Sequence, residues 1–240
     1  METFICRADD FGLSKAYDLG LLDSLASSII KNVSLLVNMP QLKNDIHQLL
    51  SYPIDLGLHF NLCLGKATSP SPSTLTDPSG NFFSSSYYRD RMQKESDPFR
   101  EEDVDQEARA QMETFIQLVG KKPDYIDYHV FLTPSIEKAL QKVAQEYDVV
   151  CKLHFKKEKA TSDRAPFYER KEPFSSWLEQ GQWPKEETTL LIFHPGFLDQ
   201  DVFRLSSLTK LRCTDHAFLL DQEVQTYFRK QGKSIRYSEL

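Results

Sequence analysis

Short apolar runs alternate along this chain with segments of helical period. Residues 3–7 (Thr-Phe-Ile-Cys-Arg) suit a buried strand, and residues 15–26 follow with Leu19, Leu22 and Leu25 at helical spacing. Residues 33–37 read as a second strand, 41–50 as a helix with Leu42, Ile46 and Leu49 aligned, and 54–60 as a third strand. Val104, Ala108, Met112, Phe115 and Val119 mark a longer helix that Gly120 ends, and residues 125–128 enter a fourth strand. Thr133 is placed as an N-cap with Pro134 at the first helical position, and Ile136, Leu140, Val143 and Tyr147 form that helix's apolar stripe. A fifth strand is expected at 149–155, a charged irregular stretch at 156–188, and a buried strand at 189–193. A helix at 221–231 and a short strand at 234–237 close the chain. Such alternation predicts an α/β fold, a mostly parallel sheet covered by helices, either closed as a barrel or open and doubly wound.

One stretch breaks the rhythm. Ser69-Pro70-Ser71-Pro72-Ser73 cannot hold a regular element, and residues 82–88 are aromatic without clean period. Residues 66–99 are therefore expected to form an insertion in a single domain spanning 1–240. Loops of that length inside a compact domain are often functional, so it is a candidate lid, with Phe82, Phe83, Tyr87 or Tyr88 offering an aromatic face to a ligand.

Composition narrows the partners. The 240 residues carry 29 Lys and Arg against 35 Asp and Glu, a net charge of -6 with no basic stripe, which argues against nucleic acid. No apolar run approaches the roughly 18 residues of a membrane span, and Met1-Glu2-Thr3-Phe4 lacks a basic signal start, so a soluble cytoplasmic protein without a membrane partner is expected. The four cysteines lie far apart and read as reduced, mostly buried thiols.

The chemistry gathers at strand ends. Asp9-Asp10 follows the first strand, His59 and Asn61 end the third, Asp127 and His129 the fourth, and His194 follows 189–193. In parallel α/β architectures these ends open on one side, where ligands bind. His47, His154 and His216 fall outside this pattern and read as structural or surface residues. One carboxylate and two imidazoles leave positions open for water and substrate, as catalytic metal sites require. A second carboxylate could then act as base and another histidine as acid.

At this point the sequence resembles the YdjC/ChbG family of carbohydrate deacetylases. The carrying segments are Arg7-Ala8-Asp9-Asp10-Phe11-Gly12, Leu56-Gly57-Leu58-His59-Phe60-Asn61-Leu62, Ile126-Asp127-Tyr128-His129 and Phe193-His194-Pro195-Gly196, with a closing segment holding Arg212 and Asp215. The resemblance implies a distorted (β/α) barrel of the glycoside hydrolase/deacetylase type and removal of an N-acetyl group from a small acetylated amino sugar. It further implies Asp10, His59 and His129 as ligands of one divalent ion, Asp9 as base and His194 as acid. Asn61, Asp127, Tyr128, Phe82, Phe83 and Arg212 are the expected substrate contacts. The family's metal is usually magnesium, whereas two imidazoles favour zinc on coordination grounds.

Two departures stand out: Arg7 replaces the family's asparagine, and Tyr128 with Val130-Phe131-Leu132 replaces a serine and further histidines. The changed segment points to a substrate other than the relatives' chitin-derived disaccharides, and Arg7, if it reaches the pocket, to one with an anionic group. Two alternatives stay open: a sugar-binding or regulatory protein with a degenerate site, and another metal enzyme using two histidines and a carboxylate, for which Asp9 would have no use. A homodimer is a compatible assembly.

Overall fold

The computed structural model describes residues 2–70, 74–155, 158–159, 188–230 and 232–240. Strand β1 (Glu2–Phe11) leads into helix α1 (Lys15–Ser24), then β2 (Asn32–Leu35), α2 (Leu42–Leu49) and β3 (Asp55–Phe60). Helices α3 (Ser85–Met92) and α4 (Glu101–Val119) precede β4 (Tyr125–Tyr128) and α5 (Pro134–Tyr147). The two-residue β5 (Glu158–Lys159), β6 (Thr189–Phe193), α6 (Gln200–Leu205), α7 (Lys210–Leu220), α8 (Gln222–Lys230) and β7 (Gly232–Ile235) complete the order.

All strand pairs are parallel, in the order β4-β3-β2-β1-β6-β5, with β7 also on β1. Ten-residue β1 is long enough for two neighbours on one edge: Glu2–Ile5 pair with β7, and Arg7 onward pair with β2. The sheet curls into the expected distorted barrel, and no ladder joins β4 to β5 among the described residues. Only a bridge between Tyr125 and Val150 extends beyond β4. The expected strand at 149–155 thus shrinks to that bridge, with the paired segment lying later, at β5; the rest of the irregular stretch expected at 156–188 lies outside the described residues.

The curl gives the sheet two faces of different character. Phe4, Cys6 and Ala8 of β1 pack outward into the main core beneath the helices. Ile5 points inward and joins Tyr125, Leu190, Ile235 and Tyr237 in a separate apolar plug, because strand residues alternate between faces. Tyr125 and Tyr237 stack at 4.0 Å, and Gly57 leaves the room: a Cβ there would lie 2.2 Å from the Tyr125 ring. Above the plug the same inward ladder turns polar, running from Ile5 through Arg7 to Asp9 on β1, and from Tyr125 to Asp127 on β4. The barrel floor is apolar and its mouth is charged.

Some elements differ in detail. In α1 the buried face is Tyr17, Asp18, Gly20, Leu21 and Ser24, while Leu19 is exposed. Gly20 is pressed against the Gly196–Phe197 backbone, where a Cβ would lie 2.4 Å from Phe197 N, and that approach sets the helix rotation. Ser14 caps α1 by accepting from the Tyr17 N–H at 3.2 Å. The insertion is not a free lid: it contains α3, and Leu75, Phe82, Tyr88 and Phe99 enter the main core. Arg212 and Asp215 lie within α7, ahead of the closing helix α8 and strand β7.

Candidate active site

The sequence dictates how two neighbouring aspartates reach one cavity. Adjacent strand residues point to opposite faces, yet Asp10 adopts φ 69° and the β1–β2 register slips between Ala8 and Phe11. That bulge re-aims Asp10 beside Asp9. Arg7 and Asp9, two apart, share the inward face by ordinary alternation.

Strand register supplies the next pair. His59 stands opposite Asp127 across β3 and β4, and its Nδ1 lies 2.9 Å from Asp127 Oδ1. Asp127 also accepts from Ser34 Oγ at 3.0 Å. With Nδ1–H donated to this carboxylate, His59 turns the lone pair of Nε2 toward Asp10 Oδ1, 3.3 Å away. His129 Nδ1 lies 3.0 Å from the same oxygen and 3.3 Å from His59 Nε2. Two donors bound to one ion at bonds of about 2.0–2.2 Å sit roughly 3–3.5 Å apart, so the triangle has the size a cation needs. Asp10 Oδ1 is buried without a hydrogen-bond partner, a further reason to read the three as a metal-binding group. The other Asp10 oxygen accepts from Arg212 Nη2 at 2.9 Å, and that guanidinium also donates to the Leu208 carbonyl and Ser206 Oγ and lies over the Tyr17 ring.

The electrostatics follow from this packing. Burial pulls the His59 imidazolium down, but Asp127 and Asp9 outweigh it and push its pKa up to about 10. His129 goes to about 9, Asp10 overcoming burial. These are the values protons see, and a cation competes for the same lone pairs. Burial raises Asp10, while His129 and Arg212 bring it well below the usual carboxylate range. His194 Nε2 lies 3.9 Å from Asp10 Oδ2, its backbone N–H donates to Asp215, and burial lowers its pKa despite the nearby aspartates.

Arg7 does not serve the pocket as the sequence suggests. Its Nε and Nη2 take both oxygens of Asp9 at 2.6 and 2.8 Å, and its Nη1 lies 2.8 Å from Asp127 Oδ2 and 3.2 Å from Tyr237 Oη. The guanidinium is saturated by its own site, and it lowers the Asp9 pKa against burial.

A cavity of about 460 Å³ opens above these groups. Asp9, Asp10, His59, Asp127, Tyr128, His129, His194 and Arg212 line it together. Asn61 is not brought there: its amide donates to Asn38 Oδ1 and the Leu64 carbonyl and accepts from the Cys63 and Leu64 N–H groups, tying down the loop after β3. Phe82 is buried, and Phe83 stacks on Tyr87 at 4.5 Å; neither lines the cavity. The insertion contributes Ser85 and Arg89 instead, one turn apart on α3, and Lys152 adds a second cation. Sequence reading overlooks these three, although the i, i+4 spacing of Ser85 and Arg89 is the signal that would have found two of them.

The model of the family described as YdjC-like protein matches residues 3–230. A relative in Listeria innocua, Carbohydrate deacetylase 2, is 25% identical over 96% of this chain and 95% of its own. A Carbohydrate deacetylase of Brevibacillus brevis is 28% identical over 98% of each. Among solved structures, an Enterococcus faecalis protein described by cellobiose-phosphate cleavage aligns with TM-score 0.80 and 19% identity over 99% of this chain and 98% of that one. A family 4 carbohydrate esterase from Streptomyces lividans aligns with TM-score 0.52 and 10% identity, covering 97% and 91%.

Proposed function

The chain belongs to the family of YdjC-like proteins, and from that premise we propose that it is a metal-dependent carbohydrate deacetylase releasing acetate from a small acetylated amino sugar. The observation that carries the reading is the triangle of Asp10 Oδ1, His59 Nε2 and His129 Nδ1, with Asp9 and His194 on the same rim. The deacetylase names of relatives matched over nearly their whole length agree with it.

Asp10, His59 and His129 would hold a divalent cation, whose chemistry when bound would be Lewis-acid polarisation of a carbonyl and a lowered pKa of water. Two imidazoles among three protein ligands favour zinc over magnesium. Asp127 fixes the His59 tautomer through Nδ1, and Arg212 occupies the Asp10 oxygen that faces away from the triangle. Asp9 accepts the proton of the attacking water, using the lone pairs that Arg7 leaves free, and Arg7 prevents its carboxylate from rotating. His194 delivers a proton to the departing amine.

The cavity also favours an anionic sugar, for a reason different from Arg7. Arg89 and Lys152 line it, and neither is held in an ion pair among the described residues. A phosphate or carboxylate on the sugar would pair with them, in keeping with the cellobiose-phosphate description of the Enterococcus protein.

Acetate release from a panel of neutral and phosphorylated N-acetylated sugars, with metal content measured on the same samples, tests the reading. Asp9→Asn should keep its metal and lose roughly 10²-fold or more in kcat. A wild type that releases no acetate, or a variant with unchanged kcat, refutes it.

A further inference from the structure

The turn after β4 is built against the preference of its central residue. His129 donates its backbone N–H to the Phe60 carbonyl at 2.8 Å, and Phe131 donates back to the His129 carbonyl at 2.9 Å, so three residues close on themselves with Val130 in the middle. Val130 has φ 70°. A positive φ is the sign of the rare, strained form of the γ-turn, and for a β-branched residue it is a genuine outlier. Glycine or asparagine would sit there at far lower cost.

The flanking residues explain the turn but not the valine. His129 goes to Asp10 Oδ1 at 3.0 Å, while Phe131 is buried between Tyr88 and Phe99 of the insertion, with ring centroids 6.0 and 6.2 Å away. Between these two neighbours the chain reverses through a positive φ. The reversal does not demand an isopropyl group, and the one present adds little to the core, being 42% exposed in the cavity wall beside His129. Strain kept at a position with little packing to show for it marks a side chain that acts on something absent from the fold.

We propose that Val130 is a specificity-determining residue whose isopropyl group packs against the C–H face of the sugar ring. This rests on the deacetylase reading above. Being half exposed at the mouth and not between the metal ligands, Val130 touches the ring and not the reacting acyl group, so it governs KM and leaves kcat alone. Covering the exposed two-fifths of a valine corresponds to roughly three- to tenfold in affinity.

The test compares wild type, Val130→Asn and Val130→Gly, all metal-loaded, on diacetylchitobiose and its 6-phosphate; glycine controls for the new amide. KM should rise three- to tenfold in both variants, with kcat within about twofold and metal content unchanged. Thermal unfolding supplies a readout independent of turnover: relief of strain should leave the Tm of Val130→Asn at or above wild type, by up to roughly 2–4 °C. An unchanged KM, or a Tm that falls in both variants, overturns the proposal. A wild type inert on both sugars and on the wider panel instead refutes the deacetylase reading, and shows it before any variant is compared.

Discussion

Replacing Arg7 with methionine keeps most of the aliphatic stem and deletes a charge on which two carboxylates depend. The guanidinium is 5% exposed, Asp9 3% and Asp127 1%. Its bonds to Asp9 at 2.6 and 2.8 Å and its 2.8 Å contact with Asp127 leave water no part in the neutralisation. Removing one partner of a buried ion pair costs roughly 3–5 kcal/mol, because the other charge stays behind. Asp127 keeps His59 and Ser34, so the loss falls mainly on Asp9 and should not double. At roughly 2–4 °C per kcal/mol for a chain of this size, Tm should drop by about 6–20 °C. The drop should also depend on pH. In the wild type Arg7 holds the Asp9 pKa below its usual value, so its stabilisation is present above about pH 4 and is lost only as pH falls through the depressed folded pKa. In the variant burial dominates and lifts the carboxyl, which takes up a proton as pH falls and relieves its stranded charge. Calorimetric unfolding of chelator-treated protein at pH 7 and pH 5 should therefore show a gap that narrows at the lower pH, and Arg7→Met/Asp9→Asn should recover part of the loss. A Tm within about 2 °C of wild type, or an equal gap at both pH values, would refute the reasoning.

Three further predictions concern other parts of the molecule. His59→Ala removes one corner of the donor triangle and should abolish stoichiometric zinc or magnesium binding by elemental analysis; a full equivalent of metal in the folded variant refutes the ligand assignment. Asp18 is fully buried, with one oxygen on the Gly12 N–H at 2.7 Å and the other without a hydrogen-bond donor, and burial together with neighbouring Asp45 raises its pKa to about 8. The unfolded chain ionises first, so wild-type stability should fall as pH rises from about 4 through 8, and Asp18→Asn should flatten that slope; parallel Tm curves would exclude it. Gly196→Ala places a Cβ 2.1 Å from the fully buried Tyr17 ring and should cost roughly 1–3 kcal/mol, a prediction that an unshifted Tm defeats.

The fold is legible in the sequence because parallel strands buried on both faces leave continuous apolar runs, as in residues 190–193 of β6, where Leu190, Leu191 and Phe193 are buried. The meeting of Asp10, His59 and His129 is legible for a related reason, since all lie at carboxyl ends of strands. What escapes is direction. Period-two alternation puts Arg7 on the face of Asp9, yet only the register that sets His59 beside Asp127 reveals that Arg7 spans both carboxylates. The aromatic run at 82–88 hides α3, because within it only Tyr88 and Met92 keep helical spacing toward the core, and the Ser84 side chain that caps it, accepting from the Tyr87 N–H, resembles any other serine of a serine-rich loop. Helix α7 is masked similarly, its buried face mixing Arg212 and Asp215 with Phe218 and Leu219.

The double edge of β1 bears on how the molecule is made. Strand β1 carries Asp9 and Asp10, but its neighbours include β6 and β7, nearly two hundred and more than two hundred residues later. At about 5–20 residues per second, the strand bearing Asp9 and Asp10 waits some ten seconds or longer for the segments that flank it. Contacts of such sequence separation slow folding and leave an unpaired edge exposed meanwhile. Chains cut short before Gly232 would thus lose more than a terminal strand: they would present that edge permanently, and should be recovered chiefly in inclusion bodies or bound to chaperones.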